Sequence, residues 1–275
     1  MYGSASFGFS NVDTHKWLAE LEWTRPGKYL KCYLHDIEAK TTIDELQYFC
    51  RDYLTEFSSH YSLSARGFPN TCKRIHFFRV TEDLGEVNEL LFRLALGGDK
   101  TALAAMRKAY VGYVVIKPLS PPSFGRTVLA MYPELPPEKD PRPRRIVTPG
   151  RNYDVHIAGI ELTVEGLAWQ SASAVGLCAT IALWTLCHAA PFDDYHVPTA
   201  TMLTQAAHRG VRVGSRMFPS TGLRLEQTLE AIKEQGFSPH VVRGEVGQDI
   251  DGDRYFTREK LCTHIAILLR LPATR

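Results

Sequence analysis

Residues 178–190 read Cys-Ala-Thr-Ile-Ala-Leu-Trp-Thr-Leu-Cys-His-Ala-Ala and stop at Pro191. The run is helix-forming and apolar on nearly every face, and a helix of that kind is expected to be buried at the centre of a fold. Whatever architecture the chain adopts must therefore wrap other elements around it. The segment ahead of it, Ser171 to Leu177, is mostly small residues, and Gly176 lets the backbone turn sharply just before Cys178. Cys178 thus falls at the head of the helix, where free backbone N–H groups and the macrodipole favour a thiolate. Two roles fit the position: a small apolar residue of the core, or an activated nucleophile. Cys187, nine residues on, belongs to the far side of the helix at about 100° per residue and reads as core.

The rest of the chain supplies the wrapping. Residues 12–60 read mostly as helices with a short extended piece, and Glu45, Leu46, Tyr48, Phe49, Tyr53, Leu54 and Phe57 recur at helical spacing as a core stripe. Arg74–Val80 is a strand candidate, and residues 84–110 read as helix interrupted at Gly97-Gly98. Tyr110–Ile116 is the strongest strand signal, stopped by Pro118, with Arg126–Met131 as its hairpin partner across the loop 120–125. Asp154–Ala158 and Ile160–Val164 read as two strands around Gly159. Residues 132–150 are dense in proline and charge, and they read as a solvated linker between residues 1–131 and 151–275. The basic trio Arg142, Arg144 and Arg145 belongs to that linker. The expected fold class is α+β.

Composition removes several functions. The 275 residues carry a net charge of +2, too little to argue for nucleic acid or an anionic membrane surface. No apolar run approaches the roughly 18–20 residues that span a bilayer, and the start lacks a basic stretch followed by an apolar one. A cytoplasmic location is the expectation. Six cysteines are scattered without a CxxC pair, as free thiols would be. Cys187, His188 and His196 match no common zinc spacing. Neither phosphate-binding glycine motifs nor a GxSxG elbow occur.

Against that background, Gly166–Trp184 (GLAWQSASAVGLCATIALW) resembles the nucleophile segment of bacterial papain-like cysteine peptidases, where a glutamine precedes a cysteine that opens the central helix. The segment from Gly222-Leu223 through the helical face Leu225, Leu229 and Ile232 to Gly236 is similar to the block that follows in the leader-peptidase branch, which trims bacteriocin-type precursors. The resemblance covers residues 155–275 and implies a papain-like lobe built on a nucleophile helix, C-terminally incomplete. It implies Cys178 as nucleophile, Gln170 in the oxyanion hole, and a histidine as general base.

Two positions depart from the pattern. The glutamine usually stands six residues before the cysteine, where this chain has Ala172; Gln170 stands eight before. The histidine should begin an apolar strand and be followed by Asn or Asp. His264 precedes Ile265-Ala266-Ile267-Leu268-Leu269, yet Leu261, Ile265, Leu268 and Leu269 also form a helical stripe after a possible cap at Thr257. No Asp, Asn or Gln follows His264, and Leu271-Pro272 resembles a pair that precedes the catalytic histidine, which places that strand beyond Arg275. His240, in Ser238-Pro239-His240-Val241-Val242, begins another candidate strand and is the second candidate base. The implied activity is cleavage of a peptide or amide bond in a peptide or protein substrate, with no metal or organic cofactor. The alternative is a catalytically inactive papain-fold module that binds a peptide or protein partner.

Overall fold

The computed structural model describes residues 7–65, 67–80, 91, 94, 96–97, 99–119, 122–132, 150–172, 178–190, 196–209, 222–242, 245–246, 254–255, 257 and 259–264. They form an α+β chain in two compact units, residues 1–236 and 237–275.

The first unit is built on a five-stranded antiparallel meander, β1 (Phe7–Asn11), β2 (Thr41–Tyr48), β3 (Cys72–Phe78), β4 (Tyr110–Lys117) and β5 (Ser123–Leu129), in that spatial order. The strands at β3 and β4 follow from β-branched and aromatic runs, as expected. β5 starts three residues earlier than the 126–131 expectation, which shortens the loop after Pro118. The helical reading of residues 45–48 is overturned: Thr41-Thr42-Ile43 begins a strand that runs to Tyr48 between β1 and β3. The stripe at Glu45, Leu46 and Tyr48 mimics helical spacing, and cross-strand pairing to Phe9 and His76 through Ile43 decides otherwise.

Each face of this sheet carries helices. On one side Ile75, Phe77, Val111, Val114, Ile116 and Phe124 pack under α1 (Lys16–Leu21) and α2 (Arg25–Asp36) through Leu18, Leu21, Leu30 and Leu34. Buried His15 starts α1: its Nδ1 accepts from the Leu18 N–H at 3.4 Å, and its Nε2–H donates to Asp44 at 2.8 Å. On the other side α3 (Arg51–Glu56) and a π-helical turn, Phe57–Tyr61, place Tyr53 and Tyr61 in the core. α4 (Lys100–Ala109) leads into β4, with Asp99 capping it through the Ala102 N–H at 2.8 Å.

The hairpin β6 (Arg151–Ile157) and β7 (Ile160–Gly166) alternates strictly, with Tyr153, Val155, Ile157, Ile160, Leu162 and Val164 buried and the residues between them exposed. It docks onto the sheet through Arg74 Nη2 to the His156 carbonyl at 2.6 Å and onto α4 through Arg107 Nε to the Glu161 carbonyl at 3.0 Å. Backbone bridges Thr127–Trp169 and Ala130–Gly166 continue the contact. The segment expected to be a linker is largely outside the described residues, and the side chains on either side of it share one core. α5 (Cys178–Ala189), α6 (Ala200–Arg209) and α7 (Leu225–Glu234) complete the unit. Gly236, in the left-handed region at φ +83°, ends α7 as expected.

The second unit contains the short pair β8 (Glu245–Val246) and β9 (Arg254–Tyr255) and helical residues 259–264. Thr257 caps that helix, its Oγ1 accepting from the Lys260 N–H at 3.3 Å. Among the described residues no helix is long and apolar enough to cross a membrane.

The β6–β7 turn puts Ala158 at φ +49° and Gly159 at +84°, the pair of positive angles of a type I′ turn. Alanine resists that conformation, whereas asparagine tolerates it. Ala158→Asn is expected to stabilise the fold by about 1 kcal/mol, read as a rise of a few degrees in the thermal midpoint.

Candidate functional site

Cys178 is the first residue of α5 and its thiol is exposed. The helix is not buried all round, as its composition suggests: Cys178, Ala182, Leu186 and Ala189 form an exposed stripe, with Leu186 64% accessible. The opposite side is covered: Ile181, Trp184, Cys187 and His188 are buried there. Cys187 lies on that side as expected, and burial pushes its thiol up to about 11. Gln170 follows Trp169, whose backbone pairs with Thr127, and is 5% exposed. Neither its carboxamide nitrogen nor its oxygen has a hydrogen-bond partner among the described residues.

The two candidate bases belong to the other unit. His264 is the last described residue of the helix 259–264, half-buried, so it does not open a strand. His240 is exposed in 237–242, which form neither helix nor strand; Pro239 has no N–H to give a ladder. His188 is the histidine on α5 itself. Ten residues from Cys178, about 15 Å along the axis, it is fully buried and its side chain does not reach back.

What sequence reading missed is a charged cluster beneath α5. Asp52 and Glu56, four apart on α3, both turn inward and are buried. Lys117 Nζ donates to Glu56 Oε1 at 2.7 Å with both side chains essentially inaccessible, and Arg126 Nε donates to Asp52 Oδ2 at 3.0 Å. Gly125 packs close to the first pair: a Cβ there would crowd Val115 at 3.1 Å and touch the Lys117 side chain at 3.4 Å. A bulge makes the second feasible. β4 pairs Val114 with Thr127 but Ile116 with Phe124, so β5 holds one extra residue and Arg126 is re-aimed toward α3. Arg126 also lies over the Trp184 ring at 6.0 Å, and Trp184 meets His188 edge-on at 4.2 Å. The available signal was the acidic pair at i and i+4 in an aromatic helix, but its partners are more than 60 residues away.

Burial alone would raise the Asp52 carboxyl; the Arg126 guanidinium hydrogen-bonded beside it outweighs this and holds it below the usual carboxylate range. Burial, then Arg126, pushes His188 down to about 3. His76, buried in β3 with Nδ1 3.1 Å from the Tyr110 hydroxyl, is pushed down to about 4, again mainly by burial. No group of three or more His, Cys, Asp or Glu suited to a metal ion occurs among the described residues. No protein-family model, no curated protein and no solved structure matches the chain.

Removing one member of a buried ion pair strands the other charge. Glu56→Leu is expected to cost about 3–5 kcal/mol in urea unfolding, and the double variant Glu56→Leu/Lys117→Met to recover most of that loss. Acid sensitivity follows from the two buried histidines. Their folded values lie below the ordinary 6.5, so both rings stay neutral in the fold while the unfolded chain takes up protons. Their contribution is complete above about pH 6.5 and is lost as pH falls toward about 4. The urea midpoint is expected to be level above neutrality and to decline through that window; a midpoint that rises on acidification contradicts the assignment.

Proposed function

We propose that the chain is a cysteine-peptidase-like protein with a papain-like lobe around α5, acting on a peptide or amide bond through Cys178. The observation that carries this reading is the exposed thiol on the first residue of a twelve-residue helix. Gln170 supports it, because a buried carboxamide with no hydrogen-bond partner among the described residues is suited to receive a developing oxyanion. In this reading the Cys178 sulfur adds to the substrate carbonyl, and Gln170 Nε2 and the Cys178 backbone N–H stabilise the oxygen. Collapse breaks the C–N bond, and the amine departs with a proton from the histidine that took the thiol proton. Water then hydrolyses the thioester. His240 and His264 are the candidate bases; the neutral, buried His188 is not.

A second reading, a non-catalytic module of the same architecture that binds a peptide or protein, is favoured by the setting of those histidines. One lies in irregular backbone and the other within a helix.

Site-resolved alkylation separates the two. Cys32, Cys178 and Cys262 are exposed, whereas Cys50, Cys72 and Cys187 are buried. Iodoacetamide labelling between about pH 5 and 9, read by peptide mass spectrometry, is expected to modify Cys178 at lower pH than Cys32 and Cys262. The three buried thiols should stay protected. If Cys178 follows the same profile as the other exposed pair, the nucleophile assignment fails and the binding module stands.

A further inference from the structure

A cavity of about 280 Å³ lies where α1 meets the ends of β2, β3 and β4. Two features of the chain coincide there. β2 carries one residue too many: Glu45 pairs with Arg74 and Tyr48 with Cys72, so Leu46 and Gln47 together oppose Lys73. β4 ends at Lys117, and Pro69, Pro118 and Pro122 line the cavity with no N–H to extend a ladder across it. Leu21, Leu46, Ile116 and Leu119 add apolar wall.

Lys73 brings a charge to this wall. Its Nζ lies 3.4 Å from the centre of the Trp17 ring, and both residues line the cavity. Among the described residues the ammonium makes no ion pair and no hydrogen bond. Burial pushes it below the ordinary lysine value, although Glu20 and Asp44 favour its charge. Neither acid is its partner: Glu20 is exposed, and Asp44 is held by His15 at 2.8 Å. Lys117 also lines the cavity, but its own ammonium is bound to Glu56.

The lining selects the chemistry of an occupant. Lys73 already covers a face of the indole, so a ligand cation would meet like charge where it would otherwise be attracted. An anion meets an ammonium whose hydrogen-bond donors are unused. Proline rings and aliphatic side chains around it favour an apolar body. The volume equals the share of on the order of nine liquid waters, near the lower limit of roughly 300 Å³ for small-molecule sites, so the body is compact.

We infer that this cavity binds a compact organic carboxylate, a single-ring or short-chain acid, with its carboxylate on Lys73 and its apolar body against Leu46, Ile116 and Leu119. The inference is independent of any activity at Cys178.

Amide chemical shifts of the ¹⁵N-labelled full chain, followed at neutral pH, test it. Benzoate, phenylacetate and hexanoate are titrated beside their neutral amides. At least one acid is expected to shift Lys73, Leu46 and the Trp17 indole N–H saturably, with a Kd on the order of 1 mM, and its amide to bind about tenfold more weakly or less. Lys73→Met should reduce the acid to the affinity of its amide and leave the amide unchanged. Failure of all three acids to give saturable shifts at these residues overturns the site, and so does equal binding of acid and amide. The comparison of acid with amide uses the unaltered chain, so it decides the matter even where Lys73→Met does not fold.

Discussion

Four charges buried between the sheet and α3 set the terms for the first unit. Lys117 and Glu56 meet at 2.7 Å, and Arg126 and Asp52 at 3.0 Å. Ions in such a place are costly to desolvate, so their presence restricts how the chain is assembled. The acidic pair must face the sheet, which fixes the rotation of α3. β5 must carry its bulge so that Arg126 turns the same way. Pairing of like size and opposite sign makes the wrong registers expensive, since each leaves a charge without its partner. α5 then packs onto this platform through Trp184 and His188, against Arg126 and Tyr153.

Legibility in the sequence tracks the range of the interaction that decides each element. β4 is written locally: seven apolar or aromatic residues ended by proline become a fully buried strand. The β6–β7 hairpin is equally local, because alternation and Gly159 specify it without help from elsewhere. The Thr257 and Gly236 caps are single-residue signals, and both are realised. Residues 45–48 fail because Glu45, Leu46 and Tyr48 satisfy two periodicities, and only pairing with distant strands chooses between them. β1 is edge structure too short to stand out before β2 exists to receive it.

The site divides along the same line. That Cys178 begins a helix can be read from the small residues before it and the apolar run after it. That Leu186 is exposed cannot be, since an all-apolar helix carries no mark of which face is covered. Gln170 is named by its offset from the cysteine, but its burial comes from the bridge between Trp169 and Thr127, 42 residues away in sequence. Lys117 gives the least warning. It follows an apolar strand and precedes a proline, a place where lysine normally reaches water, and only the acid on α3 makes it a core residue.

The three exposed thiols isolate what is particular to Cys178. Cys32 lies deep within α2, with seven helical residues before it, and Cys262 lies within the helix 259–264. Exposure is common to all three, so solvent access cannot distinguish them. Position along the helix can. The backbone N–H groups of the first turn have no intrahelical acceptor, and among these thiols Cys178 is the one on the first helical residue. Their field falls off within a turn, so it acts at residue 178 and is spent by the middle of a helix. Any excess reactivity of Cys178 over the other exposed pair is therefore a measure of where the helix begins.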